Sequence, residues 1–412
     1  MDSRRRLAPI WMMGISSATL GFANGIVVFV MPQLMAAAHV PEPKIATITA
    51  IATSPGFWFV VFSPMLDVRF SRRWYATVLA VLSSAAAATA VLSLHHLALL
   101  QLALVVCNAA AILSSSALGG WLSNIVPHEH KNALSKWMNI ALISGTGAIV
   151  AASGEFLLRL PAAAAALAIG AIVISPTAIF LFMPAPGPDR RLAGESFRQF
   201  SREIFALLRR REVVIVLLLF LSPCSTFVLT NLLGGLGADF HASARAVSLA
   251  GGAGAFLPGL AGCFLFPVIA RRVRLRSFYF ANGIVGCLFS LSLVLLPHTT
   301  YTFALAVCGE FLFQAIAFSI QIGIMFEAIG PDNPLAATTF AFLAAATNIP
   351  VTYVTLIDGH AYSVAGITGT LLTDAAIGIV TCAAAALLLA RFGSTRAAIR
   401  PLVEPEAVQE EF

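Results

Sequence analysis

A series of hydrophobic segments recurs along nearly the whole chain, and this pattern most constrains the fold. A helix of about 20 residues spans the roughly 30 Å hydrocarbon core of a bilayer and satisfies its own backbone hydrogen bonds there. The sequence therefore predicts an all-α membrane protein. The composition agrees, because only 11% of the residues are charged, whereas soluble domains average about 25%.

Twelve transmembrane helices are expected. Their approximate ranges are 10–35, 44–66, 74–94, 98–126, 134–158, 162–183, 213–236, 246–270, 277–297, 301–327, 335–357 and 366–390. An even number places both termini on one side of the membrane. If that side is cytoplasmic, only Lys44, Arg159 and Arg245 of the 25 Lys and Arg residues lie outside, as the positive-inside rule predicts. We expect a multi-pass protein of a bacterial inner membrane with cytoplasmic termini.

The predicted helices form two halves of six that repeat one another. The four parts of the chain are a first bundle at 1–183, a cytoplasmic linker with a basic amphipathic helix at 184–212, a second bundle at 213–392 and a cytoplasmic tail at 393–412. An offset of 203 residues aligns the first predicted helix with the seventh, Pro64 with Pro267 and Arg73 with Arg276. Parallel six-helix repeats are the architecture of the major facilitator transporters, whose substrate site lies between the halves.

The loop after the second predicted helix, 63–73, carries a charged motif. It resembles the cytoplasmic loop signature of the major facilitator superfamily, with Asp67, Arg69 and Arg73 at matching positions. The resemblance implies a gating latch, in which the acid pairs with an Arg and with a helix end of the other half in the outward-facing state. The alternative is a surface ion pair worth about 0 to 1 kcal/mol.

Two further stretches narrow the resemblance. Residues 20–25, residues 336–343 and the acid in the tenth predicted helix are similar to those of the AmpG-like branch of peptide, acetyl-CoA and drug transporters. That branch includes muropeptide and siderophore permeases. The resemblance implies import of a peptidoglycan fragment, a siderophore or a similar small polar solute. Proton-driven efflux of drug-like amphiphiles is the alternative within the same class, because the residues do not encode direction.

Polar side chains lie at helical spacing on the helices that line the cavity of a facilitator. Hydroxyls and amides can bind a polar solute without the cost of burying charge. The candidate substrate-binding residues are Asn24, Asn108, Ser115, Ser222, Thr226, Gln314, Gln321, Asn348 and Thr352. The alternative for each row is hydrogen bonding and small-residue packing between helices.

The tenth predicted helix ends at Glu327 and contains one acid in its interior, Glu310, accompanied by Gln314 and Gln321. The amides lie about 40° and 20° around the helix axis from the acid, so the three form one polar stripe. A charge near the bilayer centre costs roughly 2.5 to 3.5 kcal/mol and usually marks an ion or substrate path. The basic residues within the predicted ranges, Lys44 and Lys136, lie at the ends of their spans, so none is expected at membrane depth to neutralise it. We therefore predict that Glu310 carries the coupling proton.

Two other acids receive local interpretations. Asp358 is expected in an Asp-Gly-His turn after the eleventh helix. Asp374 is expected to cap a helix that begins late, after Gly369 and Thr370. Neither is predicted to take part in transport.

Other classes of function are poorly supported by the sequence. The net charge of +6 arises from Arg residues at segment ends, so nucleic-acid binding is not expected. The six Cys residues lie in apolar segments and His128–His130 in a short loop, so we predict no metal, disulfide or cofactor. An intramembrane enzyme would need a nucleophile with a base or a metal triad at membrane depth, and we predict no catalytic residue. The expected partners are a small-molecule substrate, protons and the lipid bilayer, with the chain a monomer.

Overall fold

The protein is described here from a computed structural model that is helical throughout its regular structure. The described residues are 8–68, 70–155, 160–185, 205–206, 209–227, 229–233, 236–251, 253–330 and 333–393. Most of the predicted linker and tail, and Arg69, lie outside these ranges. By length and composition, eight helices of the described part could cross a membrane, and the last of them, Ala336–Leu388, has 53 residues, enough for two passes.

The helical segments group into twelve passes, α1 to α12. The N-terminal half comprises α1 (Ile10–Ala37), α2 (Glu42–Thr53, Pro55–Trp58 and Phe59–Asp67), α3 (Arg72–Leu92), α4 (Leu97–Ile125), α5 (Lys131–Glu155) and α6 (Ala162–Leu181). The C-terminal half comprises α7 (Arg211–Leu221 and Leu229–Leu232), α8 (Ala244–Gly251 and Ala253–Ala270), α9 (Leu275–Val294) and α10 (Thr300–Ile329). The helix Ala336–Gly393 is broken at Ala365 and Gly366, which separate α11 from α12.

Small residues allow the helices to pack closely. In the N-terminal half α1 packs along α5, and a Cβ added at Gly21 would lie 2.5 Å from the Leu142 carbonyl oxygen. Because lipid tails offer no hydrophobic drive for helix association, this close backbone approach supplies much of the contact energy. The α3 helix packs on α4 and α6, and in the C-terminal half α8 packs on α10 while α9 packs on α10 and α12.

The α7 pass is interrupted near mid-membrane. Its first helix, Arg211–Leu221, has 11 residues, which at 1.5 Å each extend about 16 Å into the bilayer. The chain then leaves the helical conformation at Pro223, and Ser225 and Phe227 adopt left-handed φ values of 55° and 49°. Non-glycine residues in this region cost of order 1 kcal/mol or more and cluster at functional sites. The sequence predicted one continuous helix here.

The turn expected at Asp358 is not present. The helix continues through Asp358, Gly359 and His360, and the chain turns at Ala365 and Gly366, where Gly366 has a φ of 59°. An Asp-Gly pair favours a turn in water, but in lipid an interrupted helix leaves backbone groups unsatisfied at a cost of several kcal/mol each. As a result, Asp358 lies inside the bundle, fully buried.

Candidate functional site

Asp67 joins the two halves at one end of the molecule, which we call the Asp67 end. Its carboxylate is 1% exposed. Oδ2 accepts hydrogen bonds from the Thr338 amide and hydroxyl, both at 2.7 Å, and Oδ1 accepts from the Ala337 amide at 3.3 Å. These amides belong to the first turn of α11, where unsatisfied N–H groups and the helix dipole favour a negative charge. The acid of one half therefore caps a helix of the other.

Arg72 completes this contact. Its Nε donates to Asp67 Oδ1 at 2.8 Å, and its terminal nitrogen donates to the Asn333 and Pro334 carbonyls at 3.3 and 2.8 Å. The sequence pointed to Arg69 and Arg73 as the basic partners. Arg69 lies outside the described residues, and the structure places Arg72 rather than Arg73 against the acid, because successive residues of a helix point about 100° apart.

Other contacts extend the closure from the Asp67 end toward mid-membrane. The Lys131 ammonium at the start of α5 donates to the Phe326 carbonyl of α10 at 3.2 Å. About two turns further along α5, the buried Asn139 amide donates to the Ala315 carbonyl at 2.7 Å and to the Ser319 hydroxyl at 3.0 Å. In the described part of the chain, the hydrogen bonds between the halves are concentrated at this end and at mid-membrane. The molecule is thus closed at the Asp67 end.

The polar stripe of α10 faces the interior of the C-terminal half. Ser290 of α9 donates to Glu310 Oε1 at 2.6 Å, Gln314 donates to the Thr230 hydroxyl of α7 at 2.7 Å, and Gln321 donates to the Tyr279 hydroxyl of α9 at 3.1 Å. The three side chains share one face, as their spacing predicts, and that face meets α7 and α9.

The N-terminal half meets the opposite face of α10. Ser319 contacts Asn139 of α5, and a Cβ at Gly323 would lie 3.5 Å from the Ser135 hydroxyl of α5. Counting 100° per residue, these two positions lie about 180° and 220° around the axis from Glu310. Glu310 therefore points away from the space between the halves. The sequence-based argument expected it to face that space.

A narrow cavity of about 10 Å³, roughly the space of one water molecule, lies beside the break in α7. Its lining residues all come from the C-terminal half: Pro223, Ser225, Thr226, Phe227, Gly283, Gly286, Cys287, Ser290, Val354, Asp374, Ile377 and Gly378. The broken segment of α7 forms one wall, and α9, α11 and α12 form the others. Hydroxyls of α7 and α9 and one carboxylate of α12 supply its polar groups.

Three acids of the C-terminal half lie close enough to interact. Glu310 and Asp358 are each 0% exposed, whereas Asp374 is partly exposed at the cavity wall. Among the described residues, Glu310 Oε2 and both carboxyl oxygens of Asp358 have no hydrogen-bond partner. Asp374 interacts electrostatically with both neighbours. Negative charge on one of these acids therefore disfavours negative charge on its neighbour.

The structure does not gather the predicted substrate-binding residues in one pocket. Asn24, Ser115 and Ser222 are partly buried, Asn108 is buried and donates to the Ala52 carbonyl at 2.9 Å, and Thr226 lines the C-terminal cavity. Asn348 and Thr352 are exposed on α11. A Cβ added at Gly56 of α2 would lie 3.8 Å from the Asn348 amide nitrogen, so this part of α11 borders the space between the halves.

Sequence reasoning missed Ser290, Arg72 and Lys131, and it assigned Asp374 to a helix cap, whereas Asp374 lies inside α12 about two turns after the break at Gly366. Ser290 and Asp374 lie on different helices, and only the packing of α9 and α12 around Glu310 brings them together. Arg72 lies between Arg69 and Arg73, and the motif resemblance assigned the basic role to those two residues. Within the described residues, no group of three or more His, Cys, Asp or Glu side chains could hold a metal ion.

Two bundles of membrane-crossing helices, joined at one end by buried polar contacts and containing buried acids, define a multi-pass carrier protein. The chain belongs to the Major Facilitator Superfamily, whose model matches residues 13–334. It is therefore a membrane transporter and not an enzyme. A comparison with curated proteins finds no match.

Solved transporters share this fold over almost their whole length. A variant of the E. coli fucose:proton symporter FucP is 15% identical with a TM-score of 0.70, covering 92% of this chain and 98% of that one. The human organic anion transporter MFSD10 is 13% identical with a TM-score of 0.69, covering 93% and 100%. The proton:xylose symporter XylE is 15% identical with a TM-score of 0.66, covering 93% and 94%. These likenesses confirm the predicted all-α fold of twelve helices.

Proposed function

We propose that this transporter moves a small polar solute across a bacterial inner membrane by proton-coupled alternating access, with Glu310 carrying the coupling proton. The observation that supports this role is the burial of Glu310, which is 0% exposed and whose one described partner is the Ser290 hydroxyl. An acid kept at membrane depth without a cationic partner in the described chain is costly unless it serves an ion path. The Glu310 side chain neither faces lipid nor pairs with a permanent cation.

The orientation follows from the positive-inside rule. With both termini cytoplasmic, the Asp67 end is the cytoplasmic end, and the closed contacts there correspond to an outward-facing state. Asp67 and Arg72 then form the latch that must open before the solute can leave toward the cytoplasm. Arg73 of the predicted latch is partly exposed beside them.

The solute is proposed to bind between the halves, on the open side of the closure. Ser115 of α4 lies one helical turn beyond Gly119, which packs against Phe340 of α11, so its hydroxyl sits just above the closed contacts. Asn348 and Thr352 border the same space from α11. Amide and hydroxyl groups without a fixed charge suit an uncharged or zwitterionic polar solute.

The proposed solute class rests on the motif resemblance. Peptidoglycan fragments and siderophores are the expected substrates, and the chain is expected to work as a monomer. FucP and XylE, by their descriptions, couple sugar transport to protons, so the same fold supports symport. Efflux of drug-like amphiphiles is the second candidate, because a cavity that opens outward serves release as well as capture.

Uptake into proteoliposomes tests the proposal. A panel of radiolabelled disaccharide-peptides from peptidoglycan and iron-loaded siderophores is offered with an inward proton gradient. We expect one class to accumulate, and we expect Glu310→Gln to abolish accumulation while sparing exchange of solute across the membrane. Glu212→Gln, which alters an exposed ion pair with Arg276, is the matched control. Unchanged concentrative uptake in Glu310→Gln contradicts the coupling role, and accumulation driven by outward proton flow identifies efflux.

A further inference from the structure

We propose that Asp374 and the Ser290 hydroxyl form the route by which a proton passes between the cavity beside the α7 break and Glu310. This inference rests on the proposed proton coupling at Glu310. It assigns roles to two residues of α9 and α12 that lie outside the expected solute site between the halves.

Glu310 needs a relay because no part of its side chain is exposed. Its side chain is 0% exposed, and it does not line the cavity. Ser290 does line the cavity and also donates to Glu310 Oε1 at 2.6 Å. The hydroxyl therefore connects the wall of the cavity to the buried carboxyl. A hydroxyl is both a donor and an acceptor, so it can receive one proton while it passes on another.

Asp374 is the acidic residue in the wall of the cavity. It belongs to α12, lines the cavity and is partly exposed. The Thr226 residue of the broken segment of α7 also lines the cavity. A buried water needs two to four polar partners and the space of about one water-sized sphere, so the cavity has the polar groups and the space for one water between Asp374 and Ser290.

The transfer conserves protons and charge. Protonated Asp374 gives its proton, directly or through one water, to a lone pair of Ser290 Oγ. As that O–H bond forms, the original Ser290 O–H bond breaks and its proton joins Glu310 Oε1. Asp374 is left as a carboxylate and Glu310 becomes neutral. The step needs no other reactant, and it reverses when Glu310 releases its proton.

The charges around the route favour a single proton shared between Asp374 and Glu310. Asp374 interacts with Glu310 on α10 and with Asp358 on α11, and the Cys287 thiol of α9 interacts with both Asp374 and Glu310. The residues that line the cavity include no Lys, Arg or His. Negative charge on one acid therefore repels negative charge on the other, and a proton that leaves Asp374 is drawn to its ionised neighbour.

Time-resolved infrared spectroscopy of the purified full-length protein tests the route. After a rapid drop in pH, the carboxyl band that Glu310→Gln removes reports protonation of Glu310. We expect Ser290→Ala to slow the rise of this band on the order of tenfold or more, since positioned proton transfer contributes about 10² to 10⁴-fold. Asp374→Asn should slow it similarly. Ser290→Thr, which keeps the hydroxyl, and Asp374→Glu, which keeps the carboxyl, should restore the rate, whereas the final amplitude stays unchanged.

Ser292→Ala is the matched control, because that exposed hydroxyl donates only to the Phe289 carbonyl of its own helix at 2.7 Å. Wild-type rates in both Ser290→Ala and Asp374→Asn overturn the route while leaving the role of Glu310 intact. Slow rates that Ser290→Thr and Asp374→Glu fail to restore also overturn it, because they indicate a packing effect. Absence of any band sensitive to Glu310→Gln overturns the proposed coupling, and the route with it.

Discussion

Replacing Asp67 with Ala provides the sharpest test of the closure between the halves. In the closed state the Asp67–Arg72 pair has side chains 0% and 4% exposed, so the substitution leaves a buried guanidinium without its carboxylate. Breaking a buried pair in this way costs about 3 to 5 kcal/mol. Arg72 keeps its bonds to the Asn333 and Pro334 carbonyls, so we take the lower value. About 3 kcal/mol corresponds to roughly a 100-fold shift away from the closed state.

Hydrogen exchange measured by mass spectrometry reports this shift directly. The Ala337 and Thr338 amides donate to Asp67, so a peptide that covers the first turn of α11 should exchange faster in Asp67→Ala. We expect the same peptide to recover part of its protection in the double variant Asp67→Ala with Arg72→Met. That variant removes both charges, and deleting both partners is less costly than stranding one.

The control is the exposed pair between Glu212 and Arg276, whose side chains are 65% and 33% exposed. Exposed pairs contribute about 0 to 1 kcal/mol, so Glu212→Ala should leave the α11 peptide unchanged. Equal exchange in wild type and Asp67→Ala would show that Asp67 does not hold the closure. Equal effects of Asp67→Ala and Glu212→Ala would show that burial of the Asp67–Arg72 pair does not determine how strongly it holds the closure.

Three further changes probe the packing that supports the closure and the helices around it. Lys131→Met removes the charged hydrogen bond to the Phe326 carbonyl and should weaken the closed state by about 1.5 to 3 kcal/mol, seen as faster exchange at the end of α10. Asn139→Ala removes a buried amide and should cost about 1 to 3 kcal/mol, measured by the same method at mid-membrane. Gly21→Val should force α1 away from the Leu142 carbonyl and lower the thermal unfolding temperature in detergent, whereas unchanged unfolding would show that the two helices can separate freely.

Hydropathy and spacing predicted the helices well because lipid demands long apolar segments. The twelve predicted ranges each overlap a described pass, and Glu310, Gln314 and Gln321 do share one face of α10. The neighbours of that face could not be predicted. Helix association in a membrane depends on small residues and single polar contacts, and a single sequence does not state which helix meets which. The stripe was therefore assigned to the space between the halves, whereas it faces α7 and α9.

Breaks and turns inside the membrane were also hidden. Mean hydropathy does not distinguish a continuous helix from the interrupted segment around Pro223, because the apolar residues on both sides dominate the average. Conversely, Asp358 and Gly359 have the composition of a turn and lie within a helix. Both errors have one cause. The sequence shows the local conformational preference of each residue, whereas the structure in a membrane also depends on which backbone groups are hydrogen-bonded.

The closure and the acid cluster lie at opposite ends of the same helices. The first turn of α11 is held by Asp67, and the same helix carries Val354 at the cavity wall and the buried Asp358 beside Asp374. The α10 helix likewise carries Glu310 and, at its other end, the Phe326 carbonyl bound by Lys131. Coupling between distant sites needs an element with two arrangements that both sites bias. Here α10 and α11 are the elements that touch both, so under the proposed coupling a proton gained or lost at Glu310 acts on the helices that also form the closure.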